Sequence, residues 1–181
     1  MHQQRGCLYK IIAVIGSKKS GKTTAVEALV RGLTKRGYRV ATVKHVSEKC
    51  FTLDTEGKDT WRHAQAGAKT MVVVAPNELG IIKKLDTTKL GLQEIVEHSQ
   101  NNVDFVILEG FRSLVEQEPS MPKIVAVKAY DEAVETLKRF KSIIAFTGPA
   151  APTAKKLSIP VVDVLEEPEK LVGIIERKIG F

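Results

Sequence analysis

Residues Gly16, Ser17, Lys18, Lys19, Ser20, Gly21, Lys22 and Thr23 form an uninterrupted GxxxxGK[ST] pattern. Glycines at those two positions let the backbone turn so that successive amides point inward, and a following helix adds its partial positive charge, which together cradle a polyphosphate. Lys22 is expected to reach the β- and γ-phosphates. The Thr23 hydroxyl is expected to coordinate a magnesium ion that bridges those phosphates and offsets charge developing during transfer. Thr24 would support the loop, and Lys18 and Lys19 either add charge near the phosphates or stay solvated.

A triphosphate site also needs an acid near the metal. The apolar run Val103 to Leu108 ends in Glu109 and Gly110, so Glu109 is the candidate second metal-organising and catalytic acid. Asp104 competes, but at about 3.3 Å per residue it lies roughly 16 Å back along the strand, toward the wrong edge, and is expected to be structural or exposed. Arg112 is a candidate phosphate contact, with salt-bridge pairing as the alternative. Lys44 and His45 end another apolar run and open a long polar connection that contains Asp54, Lys58 and Asp59. In that segment, expected to act as a switch or a second-ligand site, Asp54 or Asp59 could hold a magnesium-bound water and Lys58 could meet phosphate or another anion. Asp59 has helix capping as its competing role. His45 is a candidate metal ligand, against the commoner role of a lone hydrogen-bonded or exposed histidine. The extra lysine that follows the first loop glycine in partner-activated ATPases of the chromosome-partitioning type is absent, because Ser17 stands there.

Such residues must be carried by a scaffold, and the pattern indicates which. Apolar, β-branched runs at Tyr9 to Ile15, Tyr38 to Val43, Thr70 to Ala75, Val103 to Leu108, Ile124 to Val127, Ile143 to Phe146 and Val161 to Val164 read as strands. They are nearly continuous rather than alternating, as strands covered on both faces of a parallel sheet should be. Helical patterns fall at Lys22 to Arg36, Lys58 to Ala66, Thr88 to Ser99, Asp131 to Phe140, Pro152 to Leu157 and Pro168 to Ile179. In the first, Val26, Leu29, Val30 and Leu33 recur at helical spacing and Gly37 follows as a terminator. Alternation of the two element types predicts an α/β P-loop fold: a doubly wound, mostly parallel sheet with helices on both faces and ligands beyond the carboxyl ends of the strands. One domain over residues 1–181 is expected.

The chain has 181 residues, 43% of them apolar, enough for one substantial core. No apolar run approaches the roughly 18 residues needed to span a bilayer. The N-terminus lacks the order of a secretory signal, and Cys7 and Cys50 lie far apart outside any CxxC pair, so a reducing, cytoplasmic setting is expected. A formal charge of +7 favours anionic partners. Zinc-finger spacing, RNA-binding aromatic signatures and long basic tracts are missing, so a dedicated nucleic-acid module is not expected.

The segments IIAVIGSKKSGKTT, ATVKH, DTEGKDTWRHAQAGA and DFVILEGFR, in that order from Ile11 to Arg112, resemble the molybdopterin-guanine dinucleotide biosynthesis proteins B. The resemblance implies a GTP-binding, weakly GTP-hydrolysing P-loop protein, usually a homodimer, that assists the guanylyltransferase attaching GMP to molybdopterin in molybdenum or tungsten cofactor maturation. By position it implies Gly16 to Thr24 as the nucleotide loop, Asp54, Lys58 and Asp59 as the switch segment, and Glu109 as the second acidic site. Many members continue the KH pair with further histidines, whereas Val46, Ser47 and Glu48 follow here. Guanine preference rests on the resemblance, since the NKxD motif by which many GTPases read guanine is absent. Thr147, Gly148 and Pro149 either line a base pocket or form a plain turn. The competing functions are a small-molecule kinase, with an acceptor held by the polar segment after His45, and a nucleotide-dependent adaptor without significant turnover.

Overall fold

The computed structural model describes residues 9–99, 102–149 and 157–180. In chain order the elements are β1 (Lys10–Gly16), α1 (Lys22–Lys35), β2 (Val40–Lys44), α2 (Asp59–Gln65), β3 (Thr70–Ala75), β4 (Glu78–Lys83), a 3-10 turn (Thr87–Lys89), α3 (Leu92–Glu97), β5 (Phe105–Glu109), α4 (Arg112–Glu116), β6 (Lys123–Ala126), α5 (Tyr130–Arg139), β7 (Ile143–Thr147) and α6 (Pro168–Ile179). They fall into two compact units, one formed by the described residues up to His45 and from Gly91 onward, the other by Val46–Leu90.

The larger unit is a five-stranded sheet in the order β2-β5-β1-β6-β7, parallel at every pairing. Alternate residues of each strand enter opposite layers, as pleating requires. Ile12, Val14, Phe105 and Ile107 pack with Leu29 and Leu33 of α1 and Leu171 and Ile175 of α6. Ala13, Ile15, Val106 and Leu108 pack on the other face with Val96 of α3, Val115 of α4 and Ala133 of α5. The doubly wound expectation is therefore met, and all strand carboxyl ends share one edge. At the opposite edge Asp104 accepts from the backbone N–H of Arg39 at 2.8 Å and from its guanidinium at 2.8 and 3.0 Å. Those donors hold its carboxyl down at about 2, the guanidinium first among them, which gives Asp104 the structural role expected of it.

Two readings are corrected between Thr70 and Ser99. Thr70–Ala75 is a strand, but a two-residue connection, Pro76 and Asn77, returns the chain directly into β4. So short a loop permits only antiparallel pairing, and β3 and β4 form a separate two-stranded sheet with Thr70 opposite Lys83. Its apolar run is exposed rather than buried, with Val72 at 57%, Val74 at 76% and Leu79 at 62%. The expected helix from Thr88 to Ser99 is divided: Asp86 caps the 3-10 turn through Thr88 N at 3.1 Å, and the helix restarts after Gly91, whose N–H donates to the Glu94 side chain at 2.8 Å.

One further difference concerns the C-terminal part. Val161–Val164 is not a strand; Val161 makes one isolated parallel bridge to Phe146, and Pro160, which has no N–H to give, contributes only its carbonyl to Phe146 N at 2.8 Å. The helix expected from Pro152 to Leu157 falls mostly outside the described residues.

Candidate functional site

The GxxxxGK[ST] residues occupy the connection from β1 to α1, with Lys22 as the first residue of the helix. Gly16 is demanded by space. A Cβ there would stand 2.3 Å from the carbonyl oxygen of Ala126 on β6 and 2.5 Å from Ser20 Oγ, so a side chain at Gly16 would push the loop off the sheet. Ser20 is wholly buried. Its Oγ, and that of Ser17, lack a hydrogen-bond partner among the described residues, and buried hydroxyls left in that condition mark places where a polar ligand fits. Lys18 and Lys19 are exposed, Lys19 with a left-handed φ of 61°. Left-handed backbone at a non-glycine residue is strain that functional loops commonly hold.

Lys22 Nζ folds over the loop and donates to the Ser17 carbonyl at 2.5 Å. Burial is the largest influence on its ammonium and pulls its pKa below 10.5; Glu109 and Glu132 oppose that, while Lys44 and Lys128 reinforce it. Thr23 Oγ1 donates to Glu109 Oε1 at 2.9 Å. Glu109 is 8% exposed and sits at the end of β5, with Val14 opposite it on β1 and Lys44 opposite it on β2. Lys44 Nζ lies 3.2 Å from the same Oε1. The hydroxyl, the carboxylate and both lysines therefore converge at the carboxyl edge.

The other expected residues are distributed more widely. His45 donates its backbone N–H to the Glu109 carbonyl at 3.0 Å, and its ring lies 5.2 Å from that of Phe111. No group of three or more His, Cys, Asp or Glu side chains suited to a metal occurs among the described residues. The Arg112 guanidinium lies over the Phe140 ring, 5.2 Å from the centroid, and its Nε is buried without a hydrogen-bond partner among the described residues. The contact with the ring is cation–π packing. In the smaller unit, Asp54 Oδ1 accepts from Thr55 N at 2.9 Å and from Thr60 Oγ1 at 2.7 Å, and its Oδ2 is buried without a partner among the described residues. Lys58 precedes α2, and Asp59 is its first residue, one position inside the cap and placed to interact with the helix dipole.

Sequence reasoning did not find Lys128 and Glu132, which act on the Lys22 charge from the β6–α5 connection and α5; neither belongs to a motif. Nor did it find Asp163, which lines a cavity with Gly21, Thr24, Gly148 and Pro149. A VVD tripeptide after a proline carries no signal that the chain returns to the loop there.

Chemically, the edge offers two ammonium groups, suited to anionic oxygens, and a hydroxyl paired with a carboxylate. The last two supply hard oxygens suited to magnesium, which keeps much of its shell from water and phosphate and needs few protein ligands. With this fold, they define a P-loop NTPase-like α/β protein.

The chain belongs to the molybdopterin guanine dinucleotide synthesis protein B family, whose model matches residues 11–148. It is 36% identical over 123 residues to a Methanocaldococcus jannaschii protein named for the adapter role in molybdopterin-guanine dinucleotide biosynthesis, covering 67% of this chain and 49% of that one. It is 34% identical over 116 residues to the molybdopterin-guanine dinucleotide biosynthesis adapter protein of Haemophilus influenzae, covering 64% and 61%. The match thus spans about half to three fifths of these relatives' length. A crystal structure of molybdopterin-guanine biosynthesis protein B superposes with a TM-score of 0.68 at 27% identity, covering 92% of this chain and 97% of that one. The Bacillus subtilis MobB structure, at 22% identity, shares the fold with a TM-score of 0.69, covering 93% and 97%.

The depressed Lys22 pKa implies a cost in the free protein. The charged form is disfavoured by burial, so the penalty is fully present below the lowered pKa and vanishes as the pH reaches the ordinary 10.5. Lys22→Met is expected to raise the melting temperature at pH 7, with the gain shrinking as the pH approaches 10. Thermal unfolding of both proteins at the two pH values checks this, and a variant less stable at pH 7 contradicts it.

Proposed function

We propose that this chain is a GTP-binding adapter protein in molybdopterin-guanine dinucleotide biosynthesis that hydrolyses its nucleotide slowly. The observation that carries the reading is the contact of Thr23 Oγ1 with Glu109 Oε1 at 2.9 Å, made beside a loop whose Ser17 and Ser20 hydroxyls are buried and unpartnered among the described residues. Family membership supplies the pathway. The chain is read as one P-loop domain that carries the Val46–Leu90 unit as an insert.

Gly16 to Thr24 would bind the phosphates through backbone amides, with the Lys22 ammonium moving from the Ser17 carbonyl onto the β- and γ-phosphate oxygens. Thr23 and Glu109 would hold magnesium, whose charge would offset that of the phosphate oxygens as water attacks the γ-phosphorus and the nucleoside diphosphate leaves. Lys44 would shift from Glu109 toward phosphate or remain as its counter-charge. Slow turnover suits an adapter, because catalysis here would rest on charge and positioning alone. The same reading places the protein in the cytoplasm, with the guanylyltransferase and molybdopterin as partners, and among the described residues no helix is long and apolar enough to cross a membrane.

A homodimer is part of the proposal. A two-stranded sheet is marginal alone, and β3 and β4 expose Val72, Val74, Leu79 and Ile81, at 57, 76, 62 and 53%; an apolar surface of that kind calls for a cover.

Two experiments test these statements. With magnesium present, GTP should raise the melting temperature of the wild type, whereas Lys22→Ala should weaken binding by at least about 100-fold, roughly 2.7 kcal/mol; an unchanged affinity refutes the loop assignment. In light scattering the wild type should run at twice its 19.9 kDa and a Val74→Lys, Leu79→Lys variant as a monomer. A monomeric wild type, or a variant that stays dimeric, removes the hairpin from the interface.

A further inference from the structure

We propose that Asp163 is the residue that reads the base, and that it selects guanine. The proposal rests on the reading of Gly16 to Thr24 as a triphosphate loop and adds to it the group that decides which nucleotide enters.

A cavity of about 230 Å³ opens beside that loop, lined by Gly21, Thr24, Gly148, Pro149, Asp163 and Leu165 among others. Its volume is below the roughly 300–1,000 Å³ that enclose whole drug-sized ligands and suits a flat heterocycle rather than a complete nucleotide. Gly21 and Thr24 belong to both loop and cavity, so a ligand with phosphates on the loop amides has this space within reach of its other end. The wall is held rigidly against the loop. A Cβ on Gly148 would stand 2.5 Å from the Ser20 carbonyl oxygen and 2.7 Å from that of Val127, at a left-handed φ of 101°, so only glycine lets the end of β7 approach this closely. A Cβ on Gly21 would lie 3.6 Å from Gly148 Cα, which leaves the two turns in van der Waals register.

The polar content of the cavity is selective. Pro149, Val164 and Leu165 provide apolar surface for ring faces, and Leu165 is 77% exposed. Among the described residues, Asp163 is the single ionisable wall residue. Its Oδ1 accepts from Leu165 N at 3.0 Å and its carbonyl from Glu167 N at 2.7 Å. These bonds fix the residue in its turn and leave Oδ2, with the second lone pair of Oδ1, to accept from a ligand. A carboxylate that can only accept matches an edge that only donates. Guanine presents such an edge in N1–H and the 2-amino group. Adenine presents a bare N1 acceptor there, which a carboxylate repels. Xanthine keeps N1–H but has a carbonyl in place of the amino group.

The test is Asp163→Asn, which retains an Oδ1 acceptor for Leu165 N and turns the other position into a donor. Affinities of wild type and variant for GTP, XTP, ITP and ATP would be measured by calorimetry with magnesium. Wild type is expected to prefer GTP over ITP, which lacks the 2-amino group, and over XTP by about 10- to 100-fold. In Asp163→Asn the GTP/XTP preference should fall at least about tenfold, through weaker GTP and stronger XTP binding. A variant that keeps the wild-type GTP/XTP ratio overturns the assignment of Asp163 while leaving the loop intact. A wild type that binds all four equally places the base outside this cavity and also overturns it. A wild type that binds none of them refutes the triphosphate loop itself, and the base assignment with it.

Discussion

The parallel pairing of β1 with β5 is the constraint on which the candidate site depends. It sets Val14 opposite Glu109, so the strand that feeds the phosphate-binding turn and the strand that ends in an acid finish side by side. From there the glycine-bearing turn after β1 brings the Thr23 hydroxyl to Glu109 at 2.9 Å. Burial on both faces by two separate helical layers holds this register, because a one-residue slip would exchange every side chain between the layers. Pairing of β2 on the other flank of β5 adds Lys44 to the same carboxylate at 3.2 Å. Three chain segments thus meet at one oxygen, two through sheet register and one through the turn into α1.

The free protein holds charge in a state that favours ligands. Lys22 is partly desolvated, and its nearest acceptor is a backbone carbonyl; two loop hydroxyls are buried without partners among the described residues. Each arrangement is less satisfactory than full solvation or full pairing. The proposed binding of a magnesium nucleotide would relieve all of them together, which is how a preorganised site converts stored unfavourable energy into affinity. The β3–β4 hairpin shows the same logic in apolar form, with side chains that only a covering surface would satisfy.

Much of this was legible in the residues. The phosphate loop, α1 and α6 were readable because their signals are local: fixed glycine spacing, helical periodicity and a proline at the start of α6. Glu109 was found by combining an apolar run with the rule that ligands gather at strand carboxyl ends. The failures were of another kind. Thr70–Ala75 had the composition of a buried strand, but a short turn committed it to an exposed hairpin, and β4 was hidden because Glu78, Gly80 and Lys83 interrupt its apolar pattern. Val161–Val164 had strand composition too, yet found one bridge rather than a partner strand. Arg112 stacks on Phe140, a partner distant in sequence that no local rule indicates. Asp163 and the Lys44–Glu109 pair likewise arise from which strands become neighbours, information that spacing along a single chain does not carry.

Amide hydrogen exchange on the wild type, with and without magnesium GTP, tests the central claim most directly because it reports on the backbone groups that should grip the phosphates. The account predicts that slowed exchange on nucleotide addition concentrates in the amides of Ser17 to Thr24. Protection confined to other segments, with those amides exchanging at the rate of the free protein, would contradict it.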